Sequence, residues 1–223
     1  MPASKRTDNY TVNTPHIILI GGGGHAKVIL DAANAANIEV QGFVDDLPDA
    51  PLSTMRSSPT YAGTSDEITN QTQCQPILAI GNLQRRELFI DQLDRVTFAK
   101  PIIHPSAIIA QSASIALGAF VAPGAIINAD AKICSHAIIN TGSIIEHDCR
   151  VGINTHIAPR APLGGGVQVG NHTLVGIGAT VLPGIKIGSR CTIGAGAVVT
   201  QDVQDGETVV GVPAKAIQIG SVV

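Results

Sequence analysis

The chain has 223 residues, of which 44% are hydrophobic and 3% aromatic, and its formal net charge is -3. Its Lys and Arg residues are scattered, so nucleic acid is not an expected partner. No run of 18 uninterrupted apolar residues occurs, which argues against membrane insertion. The polar first residues lack the apolar stretch of a signal peptide, so we expect a cytoplasmic protein. The four cysteines lack CxxC spacing and are expected to be reduced thiols.

Residues 1–15 are expected to be a flexible N-terminus, followed by a Rossmann-like α/β domain over residues 16–101. Hydrophobic runs and turn residues predict strands at His16 to Ile20, Glu39 to Asp46 and Gln75 to Asn82, with helices at His25 to Asn37 and from about Leu83. The segment between Asp46 and Gln75 contains several prolines and is expected to be irregular. This alternation favours a small parallel sheet with flanking helices.

A glycine-rich turn, Gly21 to Gly24, joins the first strand to the first helix. Backbone N–H groups at such a turn can receive a phosphate, although a plain tight turn is the alternative. Asp45 and Asp46 end the next strand, where a carboxylate can accept hydrogen bonds from a ribose or a base; solvated loop charge is the alternative. Asn82 and Arg86 would complete a phosphate-lined crevice.

A strict period of six dominates the second half of the chain. An aliphatic residue recurs at every sixth position from Ile103 to Val199, and a small residue, including Cys149 and Cys191, lies four positions after each. Neither a helix nor a lone strand has this period. It predicts an all-β left-handed parallel β-helix over residues 102–223, in which three hexapeptides close each triangular coil. Turn glycines are expected to relieve backbone strain at Gly118, Gly124, Gly152, Gly170, Gly176, Gly188 and Gly194.

Polar residues concentrate between Asn140 and Gly166 of this otherwise apolar repeat. His147 lies between Glu146 and Asp148, and an imidazole beside a carboxylate is suited to general base catalysis. Neither His147 nor Asp148 occupies the aliphatic or the small position, so both should face outward. His156 lies half a coil further on, so it should meet His147 only across a subunit boundary.

A shared metal ion is the alternative use of histidines in this fold. His136 and His172 are two coils apart, which places them about 10 Å from each other. Since zinc needs ligands at about 2 Å, this spacing argues against a metal site.

The chain resembles the hexapeptide-repeat sugar acyltransferases, a family that includes the bacillosamine-pathway N-acetyltransferases and relatives that O-acetylate sialic acid. The resemblance covers most of the chain from Ile17 to Lys215. It is carried by GGGGHAKVILDA, FVDD, IGNLQRR, HPSAII, SIIEHDCRVGINTHIAP and VVGVPAK. After HIAP the family commonly has Gly, whereas this chain has Arg160.

The resemblance implies a homotrimer that uses acetyl-CoA, with active sites between subunits. It implies that His147 is the general base and Asp148 its orienting partner. It further implies acetyl-CoA contacts at His156, Gly165, Ile177 and Ala195, and nucleotide-sugar contacts at Gly22, His25, Asp45, Asp46 and Arg86.

The expected reaction is N-acetylation of the 4-amino group of a nucleotide-linked 4-amino-4,6-dideoxy sugar in bacterial surface glycan biosynthesis, with UDP favoured over GDP as the nucleotide. A backbone N–H near Gly165 would stabilise the oxyanion. The alternatives are O-acetylation of sialic acid or another sugar and a trimer that only binds a nucleotide sugar.

Overall fold

The computed structural model describes residues 16–56, 58–70 and 74–217. The first part is a parallel four-stranded sheet with strand order β3-β2-β1-β4 and two helices. Its elements are β1 (His16–Ile20), α1 (Gly24–Ala35), β2 (Val40–Val44), β3 (Thr60–Tyr61), β4 (Cys74–Leu78) and α2 (Leu83–Gln92). The predicted strands and helices are confirmed. The segment expected to be irregular contains β3 and two short 3-10 helices, Pro51–Thr54 and Ser65–Asn70, while the predicted flexible N-terminus, residues 1–15, lies outside the described residues.

The second part is a prism of 17 two-residue strands, β5 to β21, as the repeat predicts. The strands are Ile102–Ile103, Ile108–Ile109, Ser114–Ile115, Phe120–Val121, Ile126–Ile127, Lys132–Ile133, Ile138–Ile139, Ile144–Ile145, Arg150–Val151, His156–Ile157, Pro162–Leu163, Gln168–Val169, Leu174–Val175, Thr180–Val181, Lys186–Ile187, Thr192–Ile193 and Val198–Val199. Two further strands, β22 (Thr208–Val210) and β23 (Lys215–Ile217), follow them. The predicted fold, an α/β domain followed by a left-handed parallel β-helix, is confirmed.

Each coil of the prism contains 18 residues, because every strand pairs in parallel with the strand one coil away, as Ile138 does with His156. The aliphatic residue of each hexapeptide and the small residue four positions later fill the interior. Cys149 and Cys191 lie in this core, each about 1% exposed, as the repeat predicts. Because each coil is covered only by its neighbours, the stacking of coils supplies the core.

Every sixth residue from 118 to 196 has a positive φ, and these residues form the three corners of the prism. We call one column the docking corner: Gly118, His136, Asn154, His172 and Arg190. We call the second the His147 corner; its left-handed residues are Asp130, Asp148, Gly166 and Gly184. We call the third the glycine corner: Gly124, Gly142, Arg160, Gly178 and Gly196.

The glycine prediction was right for Gly118 and Gly124, which have positive φ, and wrong for the other five. Those five come directly after a buried aliphatic residue, where neighbouring coils stack closely. A Cβ on Gly152, for example, would lie 2.5 Å from the carbonyl carbon and oxygen of Gly170. These glycines therefore permit the close approach of two coils, and the left-handed corners are often formed by larger residues.

The α/β domain packs directly on one face of the prism. Phe120, Ala122 and Ile138 of the prism belong to the same buried cluster as Leu19 of β1 and Ile29 of α1. No helix within the described ranges is long and apolar enough to cross a bilayer. The two parts therefore share a core, which fixes the first domain beside the docking corner.

Candidate active site

Arg86 joins the α/β domain to the docking corner. Its side chain is 1% exposed, and its Nε donates to Asn154 Oδ1 at 2.8 Å. Its terminal nitrogens donate to the carbonyl oxygens of Leu78, Ile80 and His136. Asn154 in turn donates to the carbonyl oxygen of Leu83 at 3.0 Å. The buried guanidinium is therefore held by neutral acceptors from both domains.

The prediction that Arg86 binds a substrate phosphate does not fit this environment. Its donors are used by protein groups, and the side chain has no exposed surface at which a ligand could reach it. The preceding residue, Arg85, faces the predicted crevice instead and donates to Asp46 Oδ2 at 3.2 Å. Asn82 also has a structural role, because its side chain caps α2 by accepting from the Arg85 backbone N–H.

The crevice lies at the carboxyl ends of the parallel strands, where ligands bind in open α/β sheets. Asp45 accepts from the backbone N–H of Gly22 at 2.6 Å and of Leu47 at 2.9 Å, so this carboxylate fixes the glycine turn. Asp46 accepts a hydrogen bond from the Ser65 hydroxyl. It also accepts one from Arg85, and both of these side chains are exposed. The structure thus brings Gly22, Asp45 and Asp46 together, with Arg85 as the cation of the crevice.

The turn itself leaves room at the N-terminus of α1. A Cβ on Gly22 would collide with Ala50 and the Phe43 ring, whereas Gly23 and Gly24 face open space. The first N–H groups of α1 have no acceptor within the helix, and the N-cap Gly23 offers no side-chain cap. Such groups attract anions. The part of the predicted phosphate site that stays accessible is therefore the helix N-terminus.

His25 follows these glycines and turns toward the prism. Its ring packs edge-on against Phe120 with centroids 5.6 Å apart, and it lies 6.5 Å from the His156 ring. Its Nε2 is buried and has no hydrogen-bond partner among the described residues. Burial, with smaller effects of Arg86 and His156, lowers the pKa of His25 to about 3. His25 is therefore a neutral ring between the two domains.

A cleft of about 810 Å³ opens between the start of α2 and the prism. One wall is apolar and contains Ala158, Pro159, Leu174, Ile177, Ile193 and Ala195. The polar lining groups are Asn82, Gln84, Glu87, Asn140, His156, His172, Arg190, Cys191 and Thr192. His156, Ile177 and Ala195, three of the predicted acetyl-CoA contacts, therefore line one cleft of the size that ligand sites have.

His156 is mostly buried in this cleft, and burial followed by the positive charge of Arg86 lowers its pKa to about 4. Its Nε2 lies 3.0 Å from Asn140 Nδ2. At the opposite end, Arg190 forms two hydrogen bonds with Glu87, at 3.0 Å and 2.6 Å, and Glu87 also lies 3.7 Å from His172. The cleft thus combines an apolar wall with a neutral histidine at one end and an ion pair at the other.

His147 and Asp148 face outward on the His147 corner, with side chains 63% and 65% exposed. His147 Nδ1 lies 2.7 Å from Asp148 Oδ2. This hydrogen bond, together with the charges of Asp148 and Glu146, raises the pKa of His147. Asn128 donates to Glu146 at 3.0 Å and steadies that second carboxylate. The arrangement leaves Nε2 of His147 as the free proton acceptor.

Gly165, the fourth predicted acetyl-CoA contact, lies under His147 and is not among the lining residues of the cleft. A Cβ on Gly165 would lie 2.5 Å from His147 Nε2, so only glycine leaves room for the ring. Among the described residues, no group accepts a hydrogen bond from the Gly165 N–H. The Gly165 amide is therefore without a protein acceptor in the described residues, and Gly165 lies close to the free nitrogen of His147.

Three groups of this site were missed by sequence reasoning: Arg85 of the crevice, the Glu87–Arg190 pair and the Asn140 side chain. The sequence did contain a signal for the Glu87–Arg190 pair. The column that begins with Gly118 continues, at intervals of 18 residues, with larger polar residues instead of glycine: His136, Asn154, His172 and Arg190. No group of three or more His, Cys, Asp or Glu residues suited to a metal occurs in the ranges that the structure covers.

Comparison with known proteins defines the class. The PglD N-terminal domain family matches residues 16–93, and the bacterial transferase hexapeptide family matches residues 166–201. No curated protein sequence matches the chain. PerB from Caulobacter crescentus, solved with CoA and GDP-perosamine, is 36% identical over 91% of this chain and 97% of its own, with a TM-score of 0.83.

Two further solved structures are similar. The acetyltransferase domain of PglB from Neisseria gonorrhoeae, solved with acetyl coenzyme A, is 31% identical over 92% of this chain and all of its own, with a TM-score of 0.84. WeeI from Acinetobacter baumannii is 24% identical, covers 91% of this chain and 99% of its own, and has a TM-score of 0.78, which shows the shared fold.

A hexapeptide prism with an outward His–Asp pair, joined to an α/β domain with a crevice, defines a hexapeptide-repeat acyltransferase. With relatives above 30% identity along nearly its whole length, the chain belongs to the hexapeptide-repeat sugar acyltransferases, in the branch of the sugar N-acetyltransferases. This confirms the family that the sequence motifs indicate.

Proposed function

We propose that this protein transfers the acetyl group of acetyl-CoA to the 4-amino group of a nucleotide-linked 4-amino-4,6-dideoxy sugar, with His147 as general base. The observation that carries the chemistry is the exposed His147–Asp148 pair, whose ring nitrogen Nε2 is free and lies close to Gly165. The similarity to PerB, solved with CoA and GDP-perosamine, supports the choice of substrates.

The reaction needs one proton acceptor and one oxyanion donor. The sugar amine attacks the thioester carbonyl carbon while His147 Nε2 takes an N–H proton, and Asp148 stabilises the imidazolium that forms. The C–S bond then breaks, and the His147 imidazolium returns its proton to the departing sulfur, so free CoA leaves as the thiol. The Gly165 N–H donates to the carbonyl oxygen as negative charge develops on it. A raised pKa of His147 makes its neutral form a stronger base.

One subunit does not contain a complete site. The cleft lies on the face of β14, β17 and β20 and reaches the glycine corner, whereas His147 lies beyond the face of β12, β15 and β18. We therefore infer a homotrimer in which the His147 corner of one subunit closes the cleft of the next. Aligning two bound substrates at such a boundary supplies much of the acceleration.

The acetyl donor occupies the cleft in this proposal, along the wall formed by Ile177 and Ala195 and with its acyl end near His156. The nucleotide sugar occupies the crevice, with its diphosphate at the free amides of α1 near His25 and with Asp46 and Arg85 beside it. We place this reaction in the cytoplasm, as a step of bacterial surface glycan biosynthesis.

A thiol-release assay tests the proposal. Free CoA is followed while acetyl-CoA is offered with UDP- and GDP-linked 4-amino-4,6-dideoxy sugars and, separately, with free sialic acid. The motif resemblance favours UDP, whereas PerB was solved with GDP-perosamine, so both nucleotides are needed. Release with a nucleotide amino sugar is the expected result. Release only with sialic acid would replace N-acetylation by O-acetylation, and release with no acceptor would contradict the proposal.

A further inference from the structure

The Asn140 side chain has an orientation that its neighbours fix. Its Oδ1 accepts from the backbone N–H of Thr141 at 2.8 Å. A backbone amide can only donate, so the oxygen of Asn140 must face it, and the NH₂ group must face His156. The 3.0 Å contact between Asn140 Nδ2 and His156 Nε2 is therefore a hydrogen bond that the asparagine donates.

This contact determines which nitrogen of His156 carries a proton. The ring is neutral at physiological pH, because burial and Arg86 lower its pKa to about 4. A neutral imidazole has one donor and one acceptor nitrogen. Since Nε2 accepts from Asn140, the single proton of His156 is on Nδ1.

The Nδ1–H group of His156 is available to a ligand. No acceptor for it occurs among the described residues, and it is not one of the buried nitrogens that lack a partner. His156 lines the cleft that the proposed function assigns to the acetyl donor. A carbonyl oxygen is the group that such a donor suits, and acetyl-CoA offers carbonyls at its thioester and along its pantetheine arm.

We propose that Asn140 is a positioning residue that holds His156 as the Nδ1–H tautomer, so that this ring donates a hydrogen bond to a carbonyl oxygen of the bound acyl donor. The inference rests on the proposed function for the identity of the donor. It gives the two histidines of the site opposite tasks, with His147 accepting a proton and His156 donating a hydrogen bond while staying neutral.

The tautomer is measured directly by ¹H–¹⁵N correlation spectra of the histidine rings in the ligand-free protein, with His156→Gln used to assign the signals. We expect Nδ1–H in the wild type and loss of that preference in Asn140→Ala. Asn171→Ala is the matched control, because Asn171 caps the Ile153 backbone N–H and contacts no histidine ring. An unchanged Nδ1–H tautomer in Asn140→Ala would overturn the proposal. Because no turnover is needed, this readout is independent of the proposed reaction.

Binding and kinetics then identify the carbonyl. If His156 donates to the thioester, Asn140→Ala should lower kcat by about tenfold to a hundredfold while the Kd for CoA, which lacks the acyl group, stays the same. If it donates to a pantetheine amide, the Kd for CoA should rise by about tenfold with a smaller change in kcat. A changed tautomer with neither kcat nor Kd affected would contradict the proposal.

Asn140→Asp is a second test that keeps the side chain's shape. A carboxylate at this position accepts where the amide donated, so a neutral His156 must move its proton to Nε2 and lose the donor. The carboxylate also raises the His156 pKa against the opposing effects of Arg86 and the nearby His25 ring. Below that pKa both nitrogens carry protons and the Nδ1 donor returns. The activity of Asn140→Asp relative to wild type should therefore increase as pH falls, and a pH-independent ratio would contradict the proposal.

Discussion

The docking corner and the His147 corner both place side chains in left-handed backbone, where an L-residue costs about 1–2 kcal/mol relative to the right-handed form. At the docking corner that cost is offset within the subunit. Asn154 forms hydrogen bonds with Arg86 and with the carbonyl oxygen of Leu83, and Arg190 forms hydrogen bonds with Glu87. At the His147 corner, Asp148 has φ 60° and is 65% exposed, and among the described residues its side chain forms a hydrogen bond with His147 alone.

This difference assigns a structural role to one corner of the prism and a catalytic role to another. The docking corner uses left-handed side chains to hold the α/β domain, so its changes should affect folding. In the part of the chain that the structure describes, the side chains of the His147 corner form no hydrogen bond with the α/β domain. Changes at this corner should therefore affect catalysis while leaving the fold intact.

The largest expected effect is on catalysis at the His147 corner. His147→Ala should lower kcat by about 10²- to 10⁴-fold, the contribution of a general base, with substrate binding nearly unchanged. The thermal unfolding midpoint should not move, because the ring is exposed. Steady-state kinetics and a thermal melt check both statements. Full retained activity would remove His147 from the mechanism.

Arg86→Met should have the largest effect on folding. It leaves the Asn154 side chain and the carbonyl oxygens of Leu78, Ile80 and His136 without their donor. Buried acceptors without partners predict a loss of about 3 kcal/mol or more in the free energy of unfolding. Arg85→Met is the matched control, since Arg85 is exposed and forms only a surface ion pair, worth at most about 1 kcal/mol. Equal losses from both variants in denaturant unfolding would contradict a docking role.

Asp148→Asn tests the pKa of the base. The carboxylate raises the pKa of His147, so its removal should lower that pKa. Because the neutral ring is the active form, kcat rises with pH through this pKa, and in the variant the rise should occur at lower pH. The plateau should also fall by roughly tenfold, since a weaker base accepts the proton less well. A pH–rate profile that coincides with wild type would show that Asp148 does not act on His147.

The smallest expected effect is at the glycine corner, where Arg160 has φ 58° and every other left-handed residue is glycine. Arg160→Gly should change the free energy of unfolding by less than about 1 kcal/mol, in the stabilising direction, because glycine adopts this conformation without strain. Asn154→Gly, the same kind of change at the docking corner, should instead destabilise the protein. Chemical denaturation of the two variants compares the corners directly, and destabilisation by Arg160→Gly would reveal a contact that one subunit does not show.

The prism could be predicted because neither a helix nor a lone strand has a strict period of six. The aliphatic and small positions of the repeat directly predict the buried residues. The sign of φ depends on the phase within the repeat: Gly118 lies three positions after an aliphatic residue and is left-handed, whereas Gly152 follows one directly and is not. Glycine identity alone therefore did not predict it. The choice of Arg86 over Arg85 failed for a different reason. Which of two adjacent arginines faces the crevice depends on how the first turn of α2 is rotated, and that rotation follows from packing against the prism.

The His147–Asp148 pair was predictable because both residues lie outside the core positions of the repeat, so their outward direction follows from the period alone. The cleft was not, because its walls come from α2 and from three coils that are distant in sequence. Asn140 gave no signal by itself, since its role depends on the contact with His156, 16 residues away.

The central claim is that His147 of one subunit and His156 of the next serve the same site. Co-expression of His147→Ala and His156→Ala chains with different tags, followed by purification on both tags, tests it most directly. Each variant alone should be nearly inactive, whereas trimers that carry both tags should recover about a third of wild-type activity, because either mixed composition pairs an intact His147 with an intact His156 at one of its three boundaries. Activity no higher than that of the separate variants would place both histidines in one subunit's site and contradict the account.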